Sequence, residues 1–206
     1  MNVRKLTDSA PTNQRRFVKW IHQTVLIVFT ILASWLGMQA VHEAGHVIGA
    51  LVSGGSVKQV VLYPLTISRT DLALNPAPLI VVWAGPIFGT LFPVALWGML
   101  AKLRMHGMFV LRFFAGFCLI TNGAYIGVGS FDRVGDCGEM LRHGSDHWHL
   151  WLFATITIPI GFWLWHRQGQ HFGLGAAKGN VNYIVAYSTF LGFLLLLVLG
   201  FLVGGG

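Results

Sequence analysis

The stretch that decides the fold runs from residue 21 to residue 52 and reads IHQTVLIVFTILASWLGMQAVHEAGHVIGALV. It is almost entirely apolar, and about 20 such residues suffice for an α-helix to cross the hydrocarbon core of a bilayer. Its ~32 residues would extend roughly 48 Å at the α-helical rise, so we expect this helix to tilt, to bend near Gly37 or to protrude. The Ser53-Gly54-Gly55 sequence that follows predicts the helix end.

Four further apolar stretches follow, at about residues 78–101, 107–130, 148–165 and 181–203. The composition agrees, because 54% of the residues are hydrophobic and 10% are charged, a balance far from that of soluble domains. Residues 57–67 alternate irregularly around β-branched side chains and precede the turn-like Asn75-Pro76 pair, which predicts a short hairpin. The predicted fold is an all-α membrane protein with about five transmembrane helices and a small surface β-hairpin after the first.

The chain divides by composition into a polar, basic amino-terminal tail, residues 1–20, and one polytopic membrane domain, residues 21–206. The apolar run after the tail is too long for a signal-peptide core, so we expect an uncleaved first span. Basic residues are more numerous on the side of the amino terminus, which predicts a multi-pass protein of the cell (inner) membrane with a cytoplasmic amino terminus. The net charge of +7 forms no basic stripe with interleaved aromatics, which argues against a nucleic-acid partner.

The segment His42-Glu43-Ala44-Gly45-His46 carries the strongest chemical signal. Two histidines one helical turn apart lie on the same helix face, at the spacing needed to hold one tetrahedral zinc ion. Glu43 beside them can take a proton from metal-bound water and pass it to a leaving amine. Ionisable groups in an apolar helix are costly unless they serve a site, and this motif arises by chance in roughly one such sequence in a hundred.

A catalytic zinc site usually takes three protein ligands and keeps a fourth position open. The metzincin extension of the motif is excluded, because Val52 stands where that class needs a histidine. Asp136 is attractive as the third ligand because it lies in a glycine-flanked segment that allows close approach to a metal. Spacing alone does not choose among the candidates of the third loop, which are Asp132, Asp136, Cys137, Glu139, His143, Asp146, His147 and His149.

Three segments resemble a known family. His42-Glu43-Ala44-Gly45-His46, followed by Ala50 and Gly54, resembles the HExGHxxxAxxxG signature of the site-2 protease family of intramembrane zinc metalloproteases. Trp83-Ala84-Gly85-Pro86 is similar to that family's AGP segment, and Gly135-Asp136-Cys137-Gly138 resembles its later aspartate-glycine motif. The three segments occur in the family's order.

The resemblance implies that His42, His46 and Asp136 bind Zn²⁺ and that Glu43 is the general base. It also implies hydrolysis of peptide bonds in membrane-embedded or membrane-adjacent substrates. Asn122 is similar to a family asparagine, which implies a role in positioning the substrate. The expected partners are therefore a transmembrane protein substrate and the lipid bilayer.

Other classes of function use some of the same residues. His42 and His46, taken with the histidines of residues 143–149, imitate the histidine boxes of membrane di-iron lipid oxygenases, but that reading leaves Glu43 without a role. A regulator that binds membrane segments without cutting them would not need the intact Glu43. Channels and transporters also carry intramembrane acids and histidines, but no paired half-helices are evident.

Overall fold

Six α-helices and one β-hairpin make up the part of the chain that the computed structural model describes, which is residues 12–64, 66–103 and 107–204. Two short 3-10 turns, Gly169–Phe172 and Gly175–Ala177, precede the last helix. In chain order the elements are α1 (Thr12–Val52), β1 (Ser56–Val61), β2 (Arg69–Leu74), α2 (Pro78–Ala101), α3 (Met108–Asp132), α4 (Asp136–Arg142), α5 (His147–Trp165) and α6 (Tyr183–Gly204).

Five of these helices, α1, α2, α3, α5 and α6, are long and apolar enough to cross a membrane. They coincide closely with the five apolar stretches of the sequence, and with the hairpin they confirm the predicted fold class. The chain is therefore a multi-pass helical membrane protein. The short helix α4 was not expected, because its sequence DCGEMLR is too short and too polar to show an apolar period.

The first helix begins at Thr12, inside the segment that the sequence assigns to the polar tail, and continues to Val52. Its residues 13–20 are exposed. They can continue the helix because arginine, lysine and glutamine are good helix formers. The protruding end carries Arg15, Arg16 and Lys19, whose charges belong outside the hydrocarbon core. The remainder of the predicted tail, residues 1–11, lies outside the described residues.

The carboxyl end of α1 is closed by a glycine, as predicted. Gly54 has a φ of +80°, which a residue without a Cβ adopts at little cost. The Gly55 N–H donates to the Ala50 carbonyl at 2.8 Å, and the Gly54 N–H donates to the Leu51 carbonyl at 3.2 Å. This pair of bonds is the Schellman motif, so the helix stops sharply before the hairpin.

The hairpin pairs β1 and β2 antiparallel, with Val60 opposite Thr70. The predicted segment, residues 57–67, covers most of β1 and the turn. The second strand lies after that segment, because Arg69 and Asp71 weaken its apolar signal. The hairpin contacts α1 and α6, and at this contact it turns Thr70 towards α1.

The helices pack so that α1 contacts both α2 and α6, while α3 contacts both α2 and α5. A buried cluster joins α2, α3, α4 and α5 around Val82, Ile126, Cys137, Met140 and Leu150. Burying a large apolar side chain stabilises a fold by about 1.5–3 kcal/mol, so this cluster holds the short α4 in place. The cluster thereby fixes the position of the residue at the start of α4.

Candidate metal centre

The two histidines of α1 are buried and lie one above the other on the same face of the helix. Their Nε2 atoms are 3.1 Å apart, and their ring centroids are 4.8 Å apart. This is the geometry expected for residues four positions apart in a helix. His42 and His46 therefore offer two nitrogen ligands to the same point.

Asp136, the first residue of α4, supplies an oxygen to the same point. Its Oδ2 atom lies 2.8 Å from His42 Nε2 and 3.3 Å from His46 Nε2. The backbone N–H of Asp136 donates to the Tyr125 hydroxyl at 3.1 Å, which anchors α4 to α3. Among the described residues, His42, His46 and Asp136 form the one group of three ligand atoms that can hold a metal ion, and these atoms lie within 4.8 Å of one another.

The outer nitrogens of both rings are bonded to acceptors. His46 Nδ1 donates to the Val81 carbonyl at 2.8 Å. His42 Nδ1 lies 2.7 Å from Asn122 Oδ1, and Asn122 Nδ2 donates to the Cys118 carbonyl at 2.9 Å. The second of these bonds fixes which way the Asn122 amide points, so its oxygen faces His42. Both histidines therefore carry their proton on Nδ1 and direct the Nε2 lone pair at the shared point.

Three electron-pair donors at these separations repel one another unless a metal cation or a proton lies between them. Burial alone would raise the pKa of Asp136, but without an ion a proton on Nε2 of His42 or His46 is donated to the carboxylate, and this outweighs burial and holds the pKa well below its usual range. The carboxylate is therefore ionised at neutral pH, as a metal ligand must be. Ligand atoms around a tetrahedral zinc ion are separated by roughly 3.3 Å, so the cluster fits such an ion after small adjustments.

Close contact between α1 and α2 lets the rings reach this position. A Cβ atom at Gly85 would overlap the His46 imidazole. A Cβ atom at Gly45 would lie 2.8 Å from the Gly85 Cα atom, too close for any real contact. Gly45 and Gly85 therefore allow the two helices to pack closely, so that His46 lies against the backbone of α2.

Glu43 is next to the ligands, 3% exposed, and lines the same cavity. The Thr70 hydroxyl of β2 donates to Glu43 Oε2 at 2.7 Å. No other hydrogen-bond donor to this carboxylate occurs among residues 12–64, 66–103 and 107–204. The second oxygen, Oε1, therefore has no donor in that part of the chain, and Glu43 lines the cavity together with the two histidines.

The cavity has a volume of about 810 Å³ and is bounded by α1, the hairpin, the start of α2, α3 and α4. Ligand sites usually measure about 300–1,000 Å³, so this cavity has the size of a ligand site. Much of its lining is apolar, including Trp35, Met38, Ile67, Leu72 and Pro78.

One polar group in this cavity stands out. Gln39 is 9% exposed, lines the cavity and forms no hydrogen bond within the described part of the chain. It precedes His42 by three residues and Glu43 by four, so it belongs to the same face of α1. A buried amide without a protein partner loses free energy unless water or a ligand satisfies it. Gln39 is therefore available to a molecule in the cavity.

Asn122, which the resemblance assigns to substrate positioning, also borders the cavity but is 1% exposed. Its amide oxygen faces His42 and its amide nitrogen donates to Cys118. The structure thus places it behind a histidine, where it orients the ring. The predicted contact with a substrate stays a prediction.

The rival ligands of the third loop lie outside the cluster, although Glu139 and His143 line the same cavity. Glu139 pairs with Arg142 and lies 3.3 Å from His143 Nε2. Asp146 and His149 form the capping box of α5. Asp132 is exposed at the end of α3. Neither these residues nor His147 lie in the cluster of three ligands, so the described residues do not assemble the histidine boxes of a di-iron site.

Cys137 is adjacent to Asp136 in sequence, but its thiol points away from the cluster. It donates towards the Tyr125 carbonyl at 3.4 Å inside the buried core. Burial, with the nearby Asp136 charge, raises the pKa of Cys137 to about 11. The thiol therefore stays protonated at neutral pH and is a poor metal ligand.

Two polar residues at the site were missed from the sequence. A usable signal existed for Gln39, because residues 39, 42, 43 and 46 follow helical spacing as a polar row in an apolar helix. Thr70 offered no such signal, since it meets Glu43 only after the hairpin folds back against α1. No protein-family model, curated protein or solved structure matches the chain.

Proposed function

We propose that this protein is an intramembrane zinc metalloprotease, a zinc metalloendopeptidase similar to the site-2 proteases. One observation carries the proposal: the ligand atoms of His42, His46 and Asp136 converge at one wall of a cavity beside the carboxylate of Glu43. Two nitrogens and one oxygen make up a usual ligand set of catalytic zinc, which keeps one position open for water. The same set also suits ferrous iron, so metal content separates the two.

The role of each residue follows from its position. When bound, a zinc ion lowers the pKa of a coordinated water and polarises the carbonyl of the bond to be cut. Glu43 accepts a proton from the water as its oxygen bonds to the carbonyl carbon. Glu43 then gives that proton to the amide nitrogen as the C–N bond breaks, which leaves a carboxyl group and a free amine. Asn122 and the Val81 carbonyl keep the two histidines in the required tautomer.

The surroundings favour a membrane-embedded or membrane-adjacent substrate. The cavity lies among helices that are apolar enough to cross a bilayer, and many of its side chains are apolar. The backbone of a transmembrane helix is fully hydrogen-bonded, so its peptide bonds become accessible only where the helix unwinds. We therefore propose that the substrate is a transmembrane protein with a locally unwound segment.

The membrane assignment rests on charge. Basic residues are in excess on the side of the amino terminus, which under the positive-inside rule supports a cytoplasmic amino terminus in the cell (inner) membrane. By the same rule the loop before α4 would face the opposite side. Accessibility of a cysteine placed near the amino terminus to an impermeant reagent would test this orientation in sealed vesicles.

The deciding experiment measures bound metal and proteolysis in wild type, Asp136→Ala and Glu43→Gln. We expect about one zinc per wild-type chain and cleavage of members of a transmembrane peptide library. Asp136→Ala should lose the zinc, while Glu43→Gln should keep it and lose cleavage.

Other outcomes would overturn the proposal in different ways. Bound iron in place of zinc would indicate an oxygenase. Zinc without cleavage of any peptide by wild type would indicate a regulator that binds membrane segments. If the protein binds no metal after incubation with zinc, the proposed metalloprotease mechanism is excluded.

A further inference from the structure

One short side-chain hydrogen bond joins the hairpin to the acid of α1. The Thr70 hydroxyl donates to Glu43 Oε2 at 2.7 Å, although the two residues are 27 positions apart. A second acceptor, the Glu43 carbonyl, lies 3.5 Å from the same hydroxyl oxygen, at the limit for a hydrogen bond. The hydroxyl proton of Thr70 is therefore donated to the carboxylate and not to the carbonyl.

The strand pairing gives Thr70 its position. Thr70 lies opposite Val60, next to the Val61–Arg69 pair at the turn end of the hairpin. It is half-buried against α1, while Arg69 beside it is exposed and pairs with Asp71. The alternation of a strand thus directs the Thr70 hydroxyl to Glu43, whereas Arg69, which also lines the cavity, directs its guanidinium to Asp71.

We propose that Thr70 is a positioning residue for the base Glu43, an inference that rests on the proposed function. The last torsion of a glutamate side chain is broad and roughly two-fold, so an unrestrained carboxylate samples many orientations. A bond to Oε2 restricts that torsion and leaves Oε1 available to a molecule in the cavity that Glu43 lines. Because a misplaced catalytic group can lower a rate by about a hundred-fold, this restriction bears on turnover.

Within the described part of the chain, the Thr70 hydroxyl contacts Glu43 and forms no hydrogen bond with the three ligand residues. Its loss should therefore affect how often Glu43 is correctly oriented and leave zinc binding unchanged. The hairpin then belongs to the catalytic apparatus through one hydroxyl, and displacement of β2 from α1 would release the base.

The experiment compares three variants with wild type. Thr70→Val keeps the shape of the side chain and removes the hydroxyl, whereas Thr70→Ser keeps the hydroxyl. Thr155→Val is the matched control, because Thr155 is an exposed residue of α5 outside the cavity whose hydroxyl donates to the Leu152 carbonyl at 3.1 Å. Zinc content, kcat and KM are measured for each.

A second measurement does not depend on activity. The chain contains two glutamates, Glu43 and Glu139, so infrared spectra of metal-free protein with ¹³C-labelled glutamate show the carboxyl bands of two side chains. The spectrum of Glu43→Gln identifies the Glu43 band. Loss of a hydrogen bond shifts such a band, and the shift reports on Thr70 directly.

We expect Thr70→Val to lower kcat about ten- to a hundred-fold with unchanged KM and zinc content, and to shift the Glu43 band. Thr70→Ser should recover most of the rate, and Thr155→Val should match wild type in all measurements. Full activity or an unshifted band in Thr70→Val would overturn the inference while leaving the protease intact. Failure of wild type to cleave any peptide would instead overturn the proposed function, and this inference with it.

Discussion

Asn122 Oδ1 lies 2.7 Å from His42 Nδ1, and this contact makes the asparagine part of the support for the metal ligands. Hydrogen-bond partners of ligating histidines typically contribute 10- to 100-fold to metal affinity, so we expect Asn122→Leu to weaken zinc binding by about that factor. Competition with a chelating dye measures the change. Asn182→Ala is the control, because Asn182 only caps the amino end of α6. If zinc affinity stays unchanged and KM rises, Asn122 positions the substrate instead.

The contact between Gly85 and His46 predicts a second effect on the metal. An added Cβ atom at Gly85 would overlap the imidazole, so Gly85→Ala should displace the ring and reduce bound zinc severely. Gly98→Ala lies in the same helix, with no atom within 4 Å of the added Cβ, and should retain all its zinc. Metal analysis of the two purified variants compares them. Equal zinc contents would contradict the packing role of Gly85.

Gln39 should affect the substrate and not the metal. A lost hydrogen bond typically costs about 0.5–1.5 kcal/mol, so Gln39→Leu should raise KM roughly two- to twelve-fold with zinc content unchanged. Gln170→Leu, a change at an exposed glutamine outside the cavity, should have no effect. Steady-state kinetics with one cleaved peptide provide the test. A lower zinc content in Gln39→Leu would show that this amide supports the metal centre.

The buried Cys137 thiol predicts a pH dependence. Because burial raises the pKa of Cys137 to about 11, its thiolate fraction is very small at pH 8 and grows only as pH rises towards that value. Alkylation of Cys137 by a small maleimide at pH 8 should be far slower than that of an exposed cysteine, such as one introduced by Thr66→Cys. Mass spectrometry of labelled peptides measures both rates. Rapid labelling of Cys137 would mean that α4 separates readily from its core.

Most of the membrane helices could be predicted because long apolar segments must be helical in a bilayer. The predicted segment at residues 78–101 and the helix Pro78–Ala101 coincide for this reason. The start of α1 could not be predicted from the same signal, since its first residues are polar yet helical. The strand β2 and helix α4 were missed because both are short and carry charged residues, so their structure depends on packing against other elements.

The residues of the site likewise include some that local sequence predicts and others that depend on tertiary structure. The pairing of His42 with His46 follows from helix geometry, which local sequence specifies. The choice of Asp136 over its neighbours came from the resemblance, since spacing does not reveal how α4 folds back against α1. Contacts between distant residues, such as Thr70 with Glu43 or Asn122 with His42, depend on tertiary structure and have no local signature.

Two of the proposed ligands and the proposed base, Glu43, belong to one helix, whereas the third proposed ligand belongs to α4, 94 residues after His42. Any movement of α1 therefore carries His42, Glu43 and His46 together and can open the centre only at Asp136. An ion held by all three ligands would also close a long loop of the chain, which restricts the unfolded state much as a covalent cross-link does. The ion would then stabilise the association of α1 with α4 as well as take part in catalysis. Its removal should therefore lower the melting temperature along with the activity.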